Sequence, residues 1–341
     1  MPSAQSVSSL DDIRTLLAGI PGPDDAAAAR AGEREPQLTK PPGSLGRLED
    51  ISLWLCRWQA SHPPRISRPH ACVFAGNHGV TAQGVSAFPP EVTVQMVANF
   101  EHGGAAINQI CKTFGIDLKV EALDLETPTD DFTQGPAMSE SACVEAFNRG
   151  MAAVEDGMDI LCLGEMGIGN TTTAAAICHG LYGGEAADWT GPGTGVEGDA
   201  MAAKIRVVAD AVSLHKPDTK DGLDVLCAVG GRELAAIAGA VLAARLQRVP
   251  VMLDGYVSSA AAAVLEATLP GALDHCLVGH ASTEPGHLRL LDNIGKQPLL
   301  QMNMRLGEAS GAALAIGLLQ AAAACHTGMA TFAEAGVTDK D

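Results

Sequence analysis

Two features of the chain predict an α/β fold with a mainly parallel sheet flanked by helices. From residue 66 onward, short apolar runs alternate with glycine-containing turns and helical stretches. These runs are also apolar on both faces, as strands covered by helices on each side must be. A third observation adds a satellite: helical patterns before residue 66 and after about 300 suggest a small helical domain built from both termini, residues 1–65 plus 300–341, beside a large domain of residues 66–299.

In chain order, S-L-D-D-I-R-T-L-L-A (9–18) opens with a Ser/Asp cap, and G-S-L-G-R-L-E-D-I-S-L-W-L-C-R-W (43–58) carries apolar residues at helical spacing. The loop L-T-K-P-P-G-S-L-G separates them. Expected strands are residues 70–76, 117–124, 158–164, 249–255 and 275–280, with 223–230 an ambiguous sixth. Most end in glycine turns: G-N-H-G, G-E-M-G-I-G-N, L-D-G and G-H-A-S. Ligands of open parallel sheets collect at these carboxyl ends. The last segment, R-L-G-E-A-S-G-A-A-L-A-I-G-L-L-Q-A-A-A-A-C, reads as an Ala-rich helix beginning near Glu308.

Composition excludes several functions. A net charge of −18 without a basic stripe argues against nucleic acid. Nine cysteines without a C-x-x-C pair suit a reducing compartment. A start without a basic region and apolar core, and the lack of a long uninterrupted apolar run, point to a cytoplasmic protein with no membrane partner.

The stretch L-C-L-G-E-M-G-I-G-N-T-T-T-A-A-A runs a strand into three spaced glycines and a helix opened by Asn170 and Thr171. Its backbone N–H groups and hydroxyls would converge on an anion. An ordinary Asn/Thr-capped turn would look the same. Neither a P-loop nor a dinucleotide fingerprint is present, so an NTPase or a nicotinamide-dependent oxidoreductase has little motif support. A second polar turn places Gly193 and Thr194 ahead of a helix carrying Lys204. That lysine is either solvated surface or, if the turns adjoin, a phosphate partner. His280, Glu284 and His287 lie close in sequence, but Pro285 breaks the helix that would align them, so capping is expected rather than zinc, with Ser282 a candidate anion contact. Phe88 and Met96 fit either a core or the wall of a pocket for a flat ring. Glu308 is either a first-turn glutamate facing the helix dipole or a desolvated general base.

Taken together, the ordered blocks K-P-P-G-S-L-G-R-L-E, G-N-H-G-V, G-E-M-G-I-G-N-T-T, D-G-L-D-V-L-C-A-V-G-G, M-L-D-G, G-H-A-S-T-E and M-R-L-G-E-A-S-G-A-A-L-A resemble the nicotinate-nucleotide:dimethylbenzimidazole phosphoribosyltransferase family of cobalamin biosynthesis. The resemblance implies a Rossmann-like sheet, a homodimer, no metal or cofactor, and Glu308 as catalytic base with Glu165 in a secondary role. It places Gly167, Asn170, Thr171, Gly193, Thr194, Lys204, Gly255 and Ser282 around nicotinate mononucleotide, and Phe88, Met96, Met166 and Leu306 against a benzimidazole-type base. Some members carry Ser and Gln at the positions of Phe88 and Met96 and Leu at that of Met166, so a more apolar base pocket is expected. Many have Asp where Asn77 stands. The competing reading is a non-catalytic sensor that binds the same nucleotide or base.

Overall fold

The computed structural model describes residues 6–338. Its single sheet has six parallel strands: β1 (Pro69–Ala75), β2 (Asp117–Ala122), β3 (Ile160–Met166), β4 (Val251–Leu253), β5 (Cys276–His280) and β6 (Pro298–Leu300), in the order β2-β1-β3-β4-β5-β6. The first five coincide with expected runs. β6 lies outside them, because three half-buried residues opened by a proline carry no periodic signal; a proline lacking its N–H is tolerated at a sheet edge. Residues 223–230, the ambiguous run, are not a strand. The Asp221 side chain accepts from the N–H groups of Leu223 and Asp224 and so caps a helix, Gly222–Val229.

Strand alternation divides the core between two faces. Phe74, Leu163, Leu253 and Val278 join Phe147, Ile177, Leu226, Ile237 and Val264 from helices on one side. Val73, Cys162 and Met252 join Leu55, Ile107 and Ile316 on the other. The terminal segments divide at this sheet: residues from both ends meet on its second face, where Arg34 donates to the His326 and Met329 carbonyls (both 2.9 Å) and Leu38 bridges to Thr331, while the first helix lies on the opposite face. Ile13 and Leu17 of the Leu10–Ala18 helix belong to the first core, where Arg14 bonds Asp221 at 2.7 Å and Asp224 at 2.8 Å. The Arg47–Gln59 and Ser310–Gly328 helices belong to the second. The first helix thus buries its apolar stripe on the face opposite the other terminal helices. Residues 1–5 and 339–341 of the expected unit lie outside the described residues. Lys40 of the K-P-P-G loop is buried between Glu35 (2.9 Å) and Glu49 (2.8 Å), fixing that loop to its neighbouring helices.

The Ser310–Gly328 helix is long and apolar enough to cross a membrane, yet its Ala312, Ile316 and Leu319 are buried in the sheet's second core. It approaches the strands closely because two of them carry glycine there. A Cβ on Gly164 of β3 would overlap the Ala309 nitrogen, and one on Gly279 of β5 would lie 2.7 Å from the Ala312 Cα.

Candidate active site

The chain leaves β1 for β2 on one side and returns to β3 on the other, so the switch point lies between the carboxyl ends of β1 and β3, where a crevice forms. Phe74 and Ala75 of β1 stand beside Glu165 and Met166 of β3. Over this end passes the turn of Gly307, Glu308 and Ala309, with φ of 83°, 61° and 60°. Two successive non-glycine residues in the left-handed region are strained and are held only by their surroundings. Those surroundings are specific. The Glu308 N–H donates to the Glu165 carbonyl at 3.1 Å, and the Ser310 hydroxyl donates to the Gly307 carbonyl at 2.7 Å. Glu308 therefore lies two residues ahead of the helix, outside its first turn, which corrects the expected helix start.

Asp254, at the end of β4, accepts the N–H groups of Gly311 (2.6 Å) and Ala312 (2.9 Å), and so caps the Ser310–Gly328 helix from a distant strand. This cap seats Glu308, which is 5% exposed and makes no side-chain hydrogen bond among the described residues. Burial, then the Asp254 charge, pushes the Glu308 carboxyl up to about 7. Glu165 rises further, to about 8, through burial first and then Asp254 and Glu233, against a hydrogen bond from the Asn170 amide that favours its charged form. No cation forms an ion pair with either glutamate among the described residues. Beneath them His78 Nε2 meets Glu233 Oε1 at 2.5 Å, and His78 Nδ1 meets the Thr173 hydroxyl at 3.2 Å. Gly167 packs on this pair: a Cβ there would lie 2.9 Å from Glu233 Oε1 and 2.7 Å from the Gly76 carbonyl oxygen.

A second cluster forms beside the first turn of the Asn170–Tyr182 helix. Lys204, 1% exposed, donates to Thr171 Oγ1 and to the Gly191 carbonyl, both at 2.9 Å. The two polar turns of the sequence thus adjoin, and Lys204 is a buried cation, not solvated surface. Burial lowers it to about 8, against the pull of Glu284. The Gly193 N–H donates to Glu284 Oε1 at 3.0 Å. Ser282 Oγ accepts from the Glu284 N–H at 3.3 Å, and Gly255 packs against the ring of His280. Cations and N–H groups at a helix start are the means by which proteins hold a phosphate.

Other expected site residues are engaged differently. Asn170 commits its amide to Glu165, and the Thr194 hydroxyl is occupied by Ser86 (3.0 Å) and the Ala87 N–H (3.1 Å). Thr194 thereby ties down the loop that carries Phe88. Arg305 donates to the Gly193 carbonyl at 2.8 Å and brings Leu306 to the same turn. Phe88 and Leu306 are 53% and 55% exposed, large apolar groups at one mouth, while Met96 and Met166 lie deeper against the sheet's second core. Asn77 donates to the Leu125 carbonyl at 3.0 Å, a bond an ionised Asp could not make. Sequence reading missed the roles of Asp254, Glu233, His78, Glu284 and Arg305. Each lies inside or next to a motif block, but its partner is distant in the chain.

Buried carboxylates without a counter-ion among the described residues, over a switch point and next to a buried lysine, mark an α/β protein whose polar groups converge at the strand ends as in an enzyme site. The chain belongs to a phosphoribosyltransferase family: the family profile DBI_PRT, described as phosphoribosyltransferase, matches residues 20–337. It is 59% identical over 330 residues to the nicotinate-nucleotide--dimethylbenzimidazole phosphoribosyltransferase of Rhizobium rhizogenes, covering 97% of each chain. Identity is also 59% over 331 residues to the protein of the same name from Rhizobium meliloti, covering 97% of this chain and 98% of that one. The crystal structure of CobT from Thermus thermophilus superposes with a TM-score of 0.87 at 40% identity, covering 92% of this chain and all of the other.

Proposed function

We propose that the protein transfers the phosphoribosyl group of nicotinate mononucleotide to 5,6-dimethylbenzimidazole or a related base, releasing nicotinate and α-ribazole 5′-phosphate. The observation that carries this reading is Glu308: a buried carboxylate whose side chain has no hydrogen-bond partner among the described residues, held by the Asp254 cap at the strand ends and raised to about 7. A base with a pKa near the working pH combines availability with proton affinity.

The donor's ring nitrogen is a cationic pyridinium, so nicotinate departs with the bonding pair on a neutral nitrogen and no proton need be given to it. In the proposed step one benzimidazole nitrogen attacks the anomeric carbon opposite the leaving group, while Glu308 takes the proton from the other ring nitrogen. One C–N bond forms as one breaks, and the β-linkage becomes α. Glu165, at about 8, is mostly protonated at neutral pH and so does not add a second negative charge beside the base. Lys204, Thr171, Gly167, Gly193, Gly255 and Ser282 surround the nucleotide; Asn170 and Thr194 act behind them by holding Glu165 and the Phe88 loop. Phe88, Met96, Met166 and Leu306 form the wall for the incoming ring. Holding both reactants in line supplies much of the rate.

A homodimer and a cytoplasmic setting, implied by the family likeness and by the cysteine usage, are part of this proposal; the first is read by light scattering. The deciding experiment incubates the protein with nicotinate mononucleotide and dimethylbenzimidazole and follows nicotinate and α-ribotide by chromatography. Binding of both ligands without either product would favour the sensor reading.

A further inference from the structure

Glu284 is a buried charge for which the proposed reaction has no use. It lies between β5 and the Gly286–Asn293 helix and is 5% exposed. One oxygen, Oε1, accepts the Gly193 N–H at 3.0 Å. The other, Oε2, lies against Gly191 and, among the described residues, has no hydrogen-bond partner and is sealed from solvent. A buried carboxylate oxygen left unmatched is costly and calls for a donor.

The groups around Glu284 do not provide one. Lys204 directs two N–H groups to Thr171 and the Gly191 carbonyl and makes no ion pair with Glu284. Arg305 approaches from the preceding turn but bonds the Gly193 carbonyl. Tyr256 donates to the Trp189 carbonyl, and His287 uses Nδ1 to accept the Ser282 N–H and Nε2 to meet Ser259. The Glu284 carboxylate accepts an N–H of the anion cradle, as a ligand's oxygen would. A phosphate dianion entering beside Lys204 and Thr171 would place like charges side by side in a buried pocket, an arrangement that drives one acid to protonate.

Resting on the reading of this cradle as the phosphate site, we propose that Glu284 takes up one proton when a phosphate monoester binds beside it, so that the buried site does not hold the dianion and an ionised carboxylate side by side. The proton comes from solvent and returns to it on release; no covalent bond changes. Burial already pushes the Glu284 carboxyl above the ordinary range, against Lys204, the Gly193 N–H and Arg305. The group would act as a positioning residue that makes the site selective for the phosphorylated nucleoside and ties its affinity to pH.

Calorimetry tests this with nicotinate mononucleotide alone, titrated at pH 7.5 in buffers of differing ionisation enthalpy. The wild type should take up roughly one proton more than Glu284→Gln, whose amide oxygen keeps the acceptor for Gly193 but whose side chain cannot titrate. Its Kd should rise toward about tenfold per pH unit where the variant's is flatter. Lys204, lowered to about 8 against the pull of Glu284, also contributes uptake and contributes more in the variant, so repeating the pair in a Lys204→Met background isolates Glu284. Equal uptake in the two proteins overturns the proposal. An arm with unmodified protein compares the nucleotide with nicotinate riboside, and stands even if the variant fails to fold. Uptake with the nucleotide only supports the proposal, and the same uptake with both ligands overturns it. Equal affinity for the two ligands would overturn the cradle reading itself, and this inference with it.

Discussion

The acid turn and the lysine cradle are both buried, yet their charges are arranged in opposite ways. Around Glu308 and Glu165 the nearest ionisable neighbours are more carboxylates, Asp254 and Glu233, and both glutamates move up, to about 7 and about 8. Around Lys204 a carboxylate offsets the cation, and the cation still falls to about 8 because burial outweighs that attraction. On the proposed reading, this difference lets one site separate two tasks. Like charges without a counter-ion make a group that accepts protons near neutrality, whereas an ammonium flanked by N–H groups makes a place for a dianion.

The largest expected effect comes from removing the base. Glu308→Gln should lower kcat by roughly 10²–10⁴-fold, the range of general-base catalysis, with little change in the Kd for nicotinate mononucleotide. Turnover near wild type in a steady-state assay would show that the acid turn has no proton-transfer task. Next, Lys204→Met should weaken nucleotide binding by roughly ten- to a hundredfold, as loss of a charge-assisted hydrogen bond does, while kcat at saturation falls less. An unchanged Kd by calorimetry would dissolve the contrast from the other side.

A pH profile sharpens the comparison. Glu308 must be ionised to act, so kcat/KM should fall as pH drops through about 7, and nucleotide affinity should weaken as pH rises past about 8, where Lys204 loses its charge. Asp254→Asn retains an oxygen for the Gly311 and Ala312 N–H groups but removes the charge that raises Glu308. Its acid limb should therefore move to lower pH; an unmoved limb would mean that burial alone sets the base. The smallest effect is expected outside both regions. Asn77→Asp loses the donor to the Leu125 carbonyl and should cost about 1–3 kcal/mol of stability, read as a lower Tm, with kcat little altered.

Much of the fold was legible because parallel strands buried on both faces are apolar runs, and their glycine exits mark the ligand end. β6 escaped because Pro298–Leu300 is too short for any period to show. Residues 223–230 read equally as strand or helix by hydrophobicity, and the Asp221 cap decided between them. In the site, the sequence marked Glu308, Lys204 and the glycines, since their local texture is unusual. It could not show that Asn170 and Thr194 serve other residues, nor that Asp254 reaches residues 311 and 312, because those pairings depend on how distant strands and turns are brought together.

The Asp254 cap also bears on how the molecule comes into being. It joins the end of β4 to a helix 57 residues further along the chain, and together with the Glu308–Glu165 backbone bond it holds residues 307–309 in their strained shape. A chain cut just before Ser310 would still contain every expected site residue, but its base would have no fixed seat.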